Sequence, residues 1–466
     1  MDLTDRHIGK NIEVFDSTLR DGAQGEGITF SVEDKLNIVK ALDYVGADYI
    51  EAGNPGSNPK DLEFFKEIDL GSLRHAKLVA FGSTRRKDIK AEDDENCLSL
   101  LSAETEAVAV FGKTWDMHVT DIIKTSLDEN LNMISDTVAF FKSRGKEVIF
   151  DAEHYFDGFK RNPEYAVKAL MAAAEAGADR LVLCETNGGC LPFEVAEITA
   201  ETCDIFKDSI IGIHCHNDSG CAVANTVAAV QAGAEHVQGT YLGYGERCGN
   251  ANLSTIIPNL QIKLGYNCVP EKNLERFTRT ARWISEVANQ PLYRGMPYVG
   301  GSAFSHKAGM HIDAVTKESS SFEHVAPGSV GNERRFLMSE VAGRGTVLKK
   351  IQKIAPVLTK DSAETSEICK RVKQLEYEGY SFEAAEASFE LLVKEVLGEK
   401  KKYFDLNYFK TTVDQPNGNN FSSSAIIKIT VGDRTEITAA EGDGPVHALD
   451  GALRRVLEGF YPELSG

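Results

Sequence analysis

The chain has 466 residues, 42% of them hydrophobic and 26% charged, with a formal net charge of −19. That length exceeds one small domain and suits a barrel of ~250 residues with additions, built on an ordinary core-forming composition. The negative surface disfavours nucleic acid and anionic membranes as partners, although a local cationic site would still take a small anionic substrate.

Nine cysteines are scattered along the chain, and no two form a C-x-x-C pair. This argues against a disulfide framework or a Cys-rich zinc site and predicts a reducing, cytoplasmic setting. The opening stretch MDLTDRHIGKNIEVFD has no apolar signal core. No apolar run approaches ~18 residues, so no membrane span is expected.

The first 270 residues alternate between two textures. Short β-rich apolar runs fall at Ile12–Phe15, Tyr49–Ala52, Leu78–Phe81, Ala107–Phe111, Glu147–Phe150, Arg180–Cys184, Ile210–His214 and Val237–Leu242. Amphipathic stretches separate them, among them Val32–Val45, Pro163–Ala176 and Ala222–Ala232. The spacing of Ala166, Ala169, Leu170 and Ala173 marks one helical face. Gly46-Ala47, Gly177-Ala178 and Gly233-Ala234 read as helix stops before a strand. Eight strand–helix units without a G-x-G-x-x-G after the first strand predict an α/β fold, a (β/α)8 TIM barrel over residues 1–270.

Residues 271–399 read as a helical linker region. Its helices are expected at Leu274–Val287, Thr346–Ile354, Ser362–Glu378 and Phe382–Val396, with a glycine-rich loop at Gly295–Gly309. Lys400-Lys401-Lys402 marks a solvated linker. Residues 400–466 then predict a small α+β unit of βββα order. Its strands are Tyr403–Val413, Ala425–Val431 and Glu436–Ala440, and its helix is His447–Phe460.

Reactive groups on such a barrel gather where strands end. Here those ends carry Asp16 to Gly22, Asp151 to His154, Glu185 to Gly189, His214 to Asp218 and Gly243 to Asn250. His214 and His216, two apart on a strand, face the same side. With Asp21 at the end of the neighbouring first strand they compose a site for a divalent first-row ion. Taken singly each feature is bland. An H-x-H is usually an ordinary strand end, and Arg20-Asp21 a surface dipeptide. Glu153 alone would be a helix N-terminal charge, and Thr186-Asn187-Gly188 a turn. Their joint occurrence at successive strand ends is what points to a site.

These residues resemble the DRE-TIM metallolyase superfamily. Its D-x-T-L-R-D-G signature stands at Asp16 to Gly22, its H-x-H-N-D run at His214 to Asp218, and its G-x-G-E-R-x-G-N-A run at Gly243 to Ala251. The resemblance implies Asp21, His214, His216 and Asn250 as metal ligands or near ligands for Mn²⁺, Mg²⁺ or Zn²⁺. It also implies Arg20 as the group that polarises a keto-acid carbonyl. The flanks Gly25 to Gly27 and Gly53 to Pro59 resemble the citramalate synthase group within that superfamily.

The implied reaction is a Claisen-type condensation of acetyl-CoA with pyruvate followed by thioester hydrolysis. Gln24 and Thr186 are expected at the substrate. His306 is the candidate base, with Glu153 as its partner or alternative. Phe304 to His311 resembles a linker motif that implies a homodimer, with His306 serving the other chain's barrel. Gly442 to Leu453 resembles the first half of a regulatory domain. That domain normally repeats the βββα unit, and one copy is read here, which leaves open whether a feedback site of the leucine or isoleucine type exists.

Isopropylmalate and homocitrate synthases share this chemistry and remain alternatives, because a methylene-sized pocket change is worth only ~1–3 kcal/mol. A hydroxymethylglutaryl-CoA-lyase-type enzyme is disfavoured by Gly245-Glu246-Arg247, where such lyases carry a cysteine, and by the long extension. A non-catalytic amino-acid sensor is disfavoured by the intact metal and Arg20 positions.

Overall fold

The computed structural model describes residues 9–337, 344–382, 385–414 and 422–465. Contacts divide the chain into two compact units, Met1–Leu337 and Met338–Gly466.

The first unit is a closed barrel of parallel strands in sequential order. They are β1 (Glu13–Asp16), β2 (Tyr49–Gly53), β3 (Lys77–Ser83), β4 (Ala107–Lys113), β5 (Glu147–Glu153), β6 (Arg180–Glu185), β7 (Ile210–Cys215) and β8 (His236–Gly239). β8 pairs with β1 to close the ring, Phe15 standing opposite Gln238. All eight expected strands form. β5 runs on to Glu153 instead of ending at Phe150, and β8 stops at Gly239, three residues short of the expected Leu242.

Alternation along each strand sorts the residues. One set, including Phe15, Tyr49, Val79, Ile149 and Val182, packs inside the barrel. The intervening set, including Val14, Ile50, Val148, Leu181 and Ile213, packs outward in the larger core under the helices. By the same period, Asp151 and Glu153 share the face of Ile149, Cys184 shares that of Val182, and Gln238 shares that of His236.

Local chemistry sets the helices. Val32–Val45 opens on Ser31, whose side chain accepts from Asp34 N–H while the Asp34 carboxylate accepts from Ser31 N–H. It stops at Gly46, whose φ of 105° suits glycine. Pro163–Glu175 opens on Asn162 with proline in its first turn, and Ala166, Ala169, Leu170 and Ala173 form its buried face as expected.

The expected boundary at residue 270 is not where contacts thin. The helix Phe277–Val287 buries Phe277, Ala281 and Ile284 in the barrel's outer core, joined there by Tyr298, Val299 and Val330. Its amphipathic face has its apolar partner on the barrel, so residues 271–337 fold with it. Within this stretch β9 (Ser305–His306) pairs in parallel with β10 (Arg335–Phe336).

In the second unit the helices Arg344–Ile354, Ala363–Tyr377 and Glu386–Val396 share a core of Ile351, Ile368, Val372, Phe389 and Val393. The expected helix from Phe382 begins at Glu386; residues 383–384 of that span lie outside the described residues, as do residues 1–8 of the opening stretch. The βββα unit forms as β11 (Asp405–Asp414), β12 (Ser422–Val431) and β13 (Arg434–Gly442), antiparallel in that order. The helix Pro445–Leu457 covers one face, packing Ala448, Ala452 and Val456 on Ala425, Ile427 and Ile429. Among the described residues no helix is long and apolar enough to cross a membrane.

Candidate active site and metal centre

Three inward residues near the strand ends converge. His214 Nε2 lies 3.3 Å from His216 Nε2 and 3.5 Å from Asp21 Oδ2. These are the one His/Asp cluster of metal-ligating geometry found among the described residues, and all three are buried. Burial pushes the Asp21 carboxyl up, but Arg20, His214 and His216 outweigh it and hold the group down at about 2. Burial, with His214 beside it, pushes His216 down to about 4. A carboxylate and a neutral imidazole, each with lone pairs free for a cation, are the donor set a divalent first-row ion takes.

Asn250, the fourth expected ligand, meets His216 through a backbone bridge. Its Nδ2 donates to Tyr244 O at 3.1 Å, and its buried Oδ1 has no hydrogen-bond partner. Gly245 is required here because a Cβ at that position would come within 2.2 Å of Asn250 Nδ2. The donors therefore fit a metal ion. The orphaned Asn250 oxygen and the close Nε2 pair are the features an ion would satisfy.

Arg20 sits beside this cluster, its guanidinium carbon over the Phe81 ring at 3.7 Å from the centroid. Its Nε donates to Glu51 Oε2 at 2.7 Å, and its Nη1 lies 3.3 Å from Asp21 Oδ2. Burial works against the guanidinium charge, but Glu51 and Asp21 more than compensate and raise its pKa. Ser17 also donates to Glu51. The strand-end turn is sewn to the segment just after β8 by Tyr241 N–H, which donates to Thr18 Oγ1 at 2.8 Å.

A cavity of about 350 Å³ opens over these groups, and Arg20, Asp21, Gln24, Glu153, Thr186, His214 and His216 all line it. Glu153 is paired with Lys113, its register neighbour on β4. Thr186 Oγ1 accepts from His154 N–H at 2.9 Å, which leaves its own hydroxyl proton for a ligand. Arg247 ties two motifs together, donating to Asp218 Oδ1 at 2.8 Å and to Thr186 O at 2.8 Å.

His306 does not line this cavity. It is buried on β9, with Nε2 3.0 Å from Glu323 Oε1, and Arg334 clamps the same carboxylate at 2.7 and 2.6 Å.

Several residues here carry no motif. Glu51, fully buried, lies mid-strand in β2; Gln238 lies mid-strand in β8; Phe81 and Phe111 stack at 5.4 Å across the cavity wall. The signal available in the sequence was a single polar residue at an inward position of an apolar strand, as in Tyr49-Ile50-Glu51-Ala52.

Comparison with known proteins places the chain in a family. The HMGL-like family profile matches residues 11–284. The profile described as homocitrate synthase post-HMGL domain-like matches residues 298–379, and the LeuA allosteric (dimerisation) domain matches residues 383–465. The chain is 49% identical to the (R)-citramalate synthase of Aquifex aeolicus, over 98% of this chain and 87% of that protein. It is 32% identical to a probable 2-isopropylmalate synthase of Methanopyrus kandleri, over 96% of this chain and 86% of that one. The fold resembles the HMG-CoA lyase of Bacillus subtilis, with a TM-score of 0.53 at 23% identity, covering 62% of this chain and 98% of the lyase. All three sequence signatures fall within the HMGL-like match and meet at one barrel mouth: the chain belongs to the HMGL-like family.

Proposed function

We propose that the chain is a cytoplasmic (R)-citramalate synthase that condenses acetyl-CoA with pyruvate and hydrolyses the thioester, releasing citramalate and CoA. The observation that carries this reading is the near-full-length likeness to curated (R)-citramalate synthases, five of them at 45–49% identity. The site suits it. A divalent ion held by Asp21, His214, His216 and Asn250 would supply Lewis-acid polarisation of the keto carbonyl.

Arg20, charged and fixed against Phe81 and Glu51, donates to the carbonyl oxygen as negative charge develops there. Thr186 directs its hydroxyl proton at the substrate carboxylate, with Gln24 on the same rim. The Phe81–Phe111 wall takes the small apolar end of the keto acid. Glu153, held by Lys113, stands within the cavity as the partner or alternative of the base that removes the thioester α-proton.

CoA release with pyruvate, 2-ketoisovalerate and 2-ketoglutarate tests the substrate. Pyruvate should give the highest kcat/KM; a higher value for 2-ketoisovalerate would make the chain an isopropylmalate synthase.

The base itself is His306 of a second copy in a homodimer. Its place outside the cavity of its own chain supports this, as does the LeuA-type unit, whose helix-free sheet face exposes Tyr408, Ile426 and Ile437. Mixing His214→Ala and His306→Ala chains under subunit exchange should recover up to about one quarter of wild-type activity per total site. No recovery, with exchange verified by mass, would show that each chain completes its own site.

A further inference from the structure

Behind His214 lies a polar chain that no motif marks. His214 Nδ1 is 2.9 Å from Gln238 Oε1, and Gln238 Nε2 donates to Asp151 Oδ1 at 2.9 Å. The register of the barrel creates this line. His214 and Gln238 are direct neighbours across β7 and β8, and Asp151 projects inward from β5. Gln238 is fully buried, and both of its neighbours are nearly so.

The chemistry of a glutamine makes the line directional. One end of the amide only accepts and the other only donates. Asp151 Oδ1 accepts from the Nε2 end, as a carboxylate or with any proton held on its other oxygen. The Oε1 end must then face His214, where it can only accept. Nδ1 of His214 must therefore carry the ring proton, and its Nε2 keeps a lone pair beside Asp21 and His216. The reversed amide would present N–H to Nδ1. It would place the ring proton on Nε2, between the two groups that should share an ion.

We propose that Asp151 and Gln238 are positioning residues that lock His214 in its Nδ1–H tautomer and so keep its Nε2 aimed at the metal site. The proposal rests on the metal reading of Asp21, His214 and His216. It extends that reading to two residues that would touch no ion.

The test uses the full chain stripped with a chelator. Mn²⁺ affinity is measured by competition, and the His214 tautomer is read from ¹⁵N-histidine spectra of the metal-free protein. Wild type should bind Mn²⁺ and show the Nδ1–H signature. Gln238→Met should lose that signature and weaken Mn²⁺ binding by ~10–100-fold. Gln238→Glu keeps an oxygen toward His214, and one proton shared with Asp151 replaces the amide donor, so it should restore the signature and most of the affinity.

Asp151→Leu frees the amide to turn and should weaken binding in the same direction. Combined with Gln238→Met it should add little, because both act through one hydrogen-bonded line. It also serves where Gln238→Met does not fold. An Nε2–H signature in wild type would overturn the proposal. So would Mn²⁺ affinity within about twofold of wild type in each of the two single variants, an effect far below that of a removed ligand partner. Failure of wild type to bind Mn²⁺ would instead sink the metal reading, while the spectrum alone would still decide the tautomer.

Discussion

The barrel buries polar groups at both ends, and the two ends are built differently. At the floor every cation is matched. Arg180 donates to both oxygens of Glu13, at 2.7 and 2.6 Å, and to Glu147. Glu147 also accepts from Tyr49 at 2.7 Å and Lys77 at 2.6 Å, and Glu13 meets His236 Nδ1 at 3.0 Å. At the mouth, Glu51 Oε1, His216 Nδ1 and Asn250 Oδ1 are buried without hydrogen-bond partners.

Glu13 at the floor and Asp151 at the mouth diverge in the same sense, although Asp21 at the mouth, beside Arg20, is held down as Glu13 is. Burial raises Glu13, but Arg180 and His236 outweigh it and bring the group to about 2. Burial raises Asp151 too, and Glu51 nearby raises it further. A surplus of negative charge around one arginine costs stability unless something cationic arrives. The floor is an ion-paired network that holds the fold, even though His236 Nε2 there is buried without a partner, and the mouth is a more open one prepared for a ligand.

If that contrast holds, damage to the two ends should read out differently. The largest effect is expected at the floor. Arg180→Met would leave the half-buried Glu13 and Glu147 without their shared cation, at a cost of ~3 kcal/mol in urea unfolding, with kcat per folded enzyme near wild type. Unchanged stability would show the floor network to be ornamental. At the mouth, Arg20→Ala should lower kcat by ~10² or more, with a smaller change in pyruvate KM, since its charge matters most as the alkoxide forms. Lysine should restore little, lacking the planar fork. A loss of stability without a loss of kcat would make Arg20 a second Arg180.

The smallest effect concerns acid. The folded pKa of Glu13 is depressed from 4.5 to about 2. Its contribution is therefore present above the unfolded value and is lost as pH falls through that window. Glu13→Gln should flatten the decline of stability between those limits. A wild-type slope there would place acid sensitivity elsewhere. Solvent reaches Glu13, so screening keeps this effect modest.

The legible part of the molecule was periodic or contiguous. Eight apolar runs separated by amphipathic ones specify strands and helices locally, and two-residue alternation within a strand places His214 and His216 on one side without reference to any other strand. Gly46, Asn162 and Ser31 act on their own helices, so their roles could be read from neighbours in sequence. Asp16 to Gly22 and Gly243 to Ala251 are contiguous turns and carried their meaning within themselves. Which element the helix after residue 270 packs on was not legible, because an amphipathic helix shows that it has a partner but not which one. Phe277, Ala281 and Ile284 found theirs on the barrel.

What only the tertiary structure decided is which single polar residues meet. Glu51, Asp151 and Gln238 each look like an isolated interruption of an apolar strand. Their significance arises when the ring closes β8 on β1 and register sets Gln238 beside His214, with Asp151 reaching it across the barrel. Pairing of β1 with β2 and of β2 with β3 also sets Arg20 on Glu51 and Phe81. Hydrogen bonds and ion pairs act over ~3 Å in space, whereas the groups that make them here lie tens of residues apart in sequence. Strand identity was therefore local information, and the chemistry of the mouth was not.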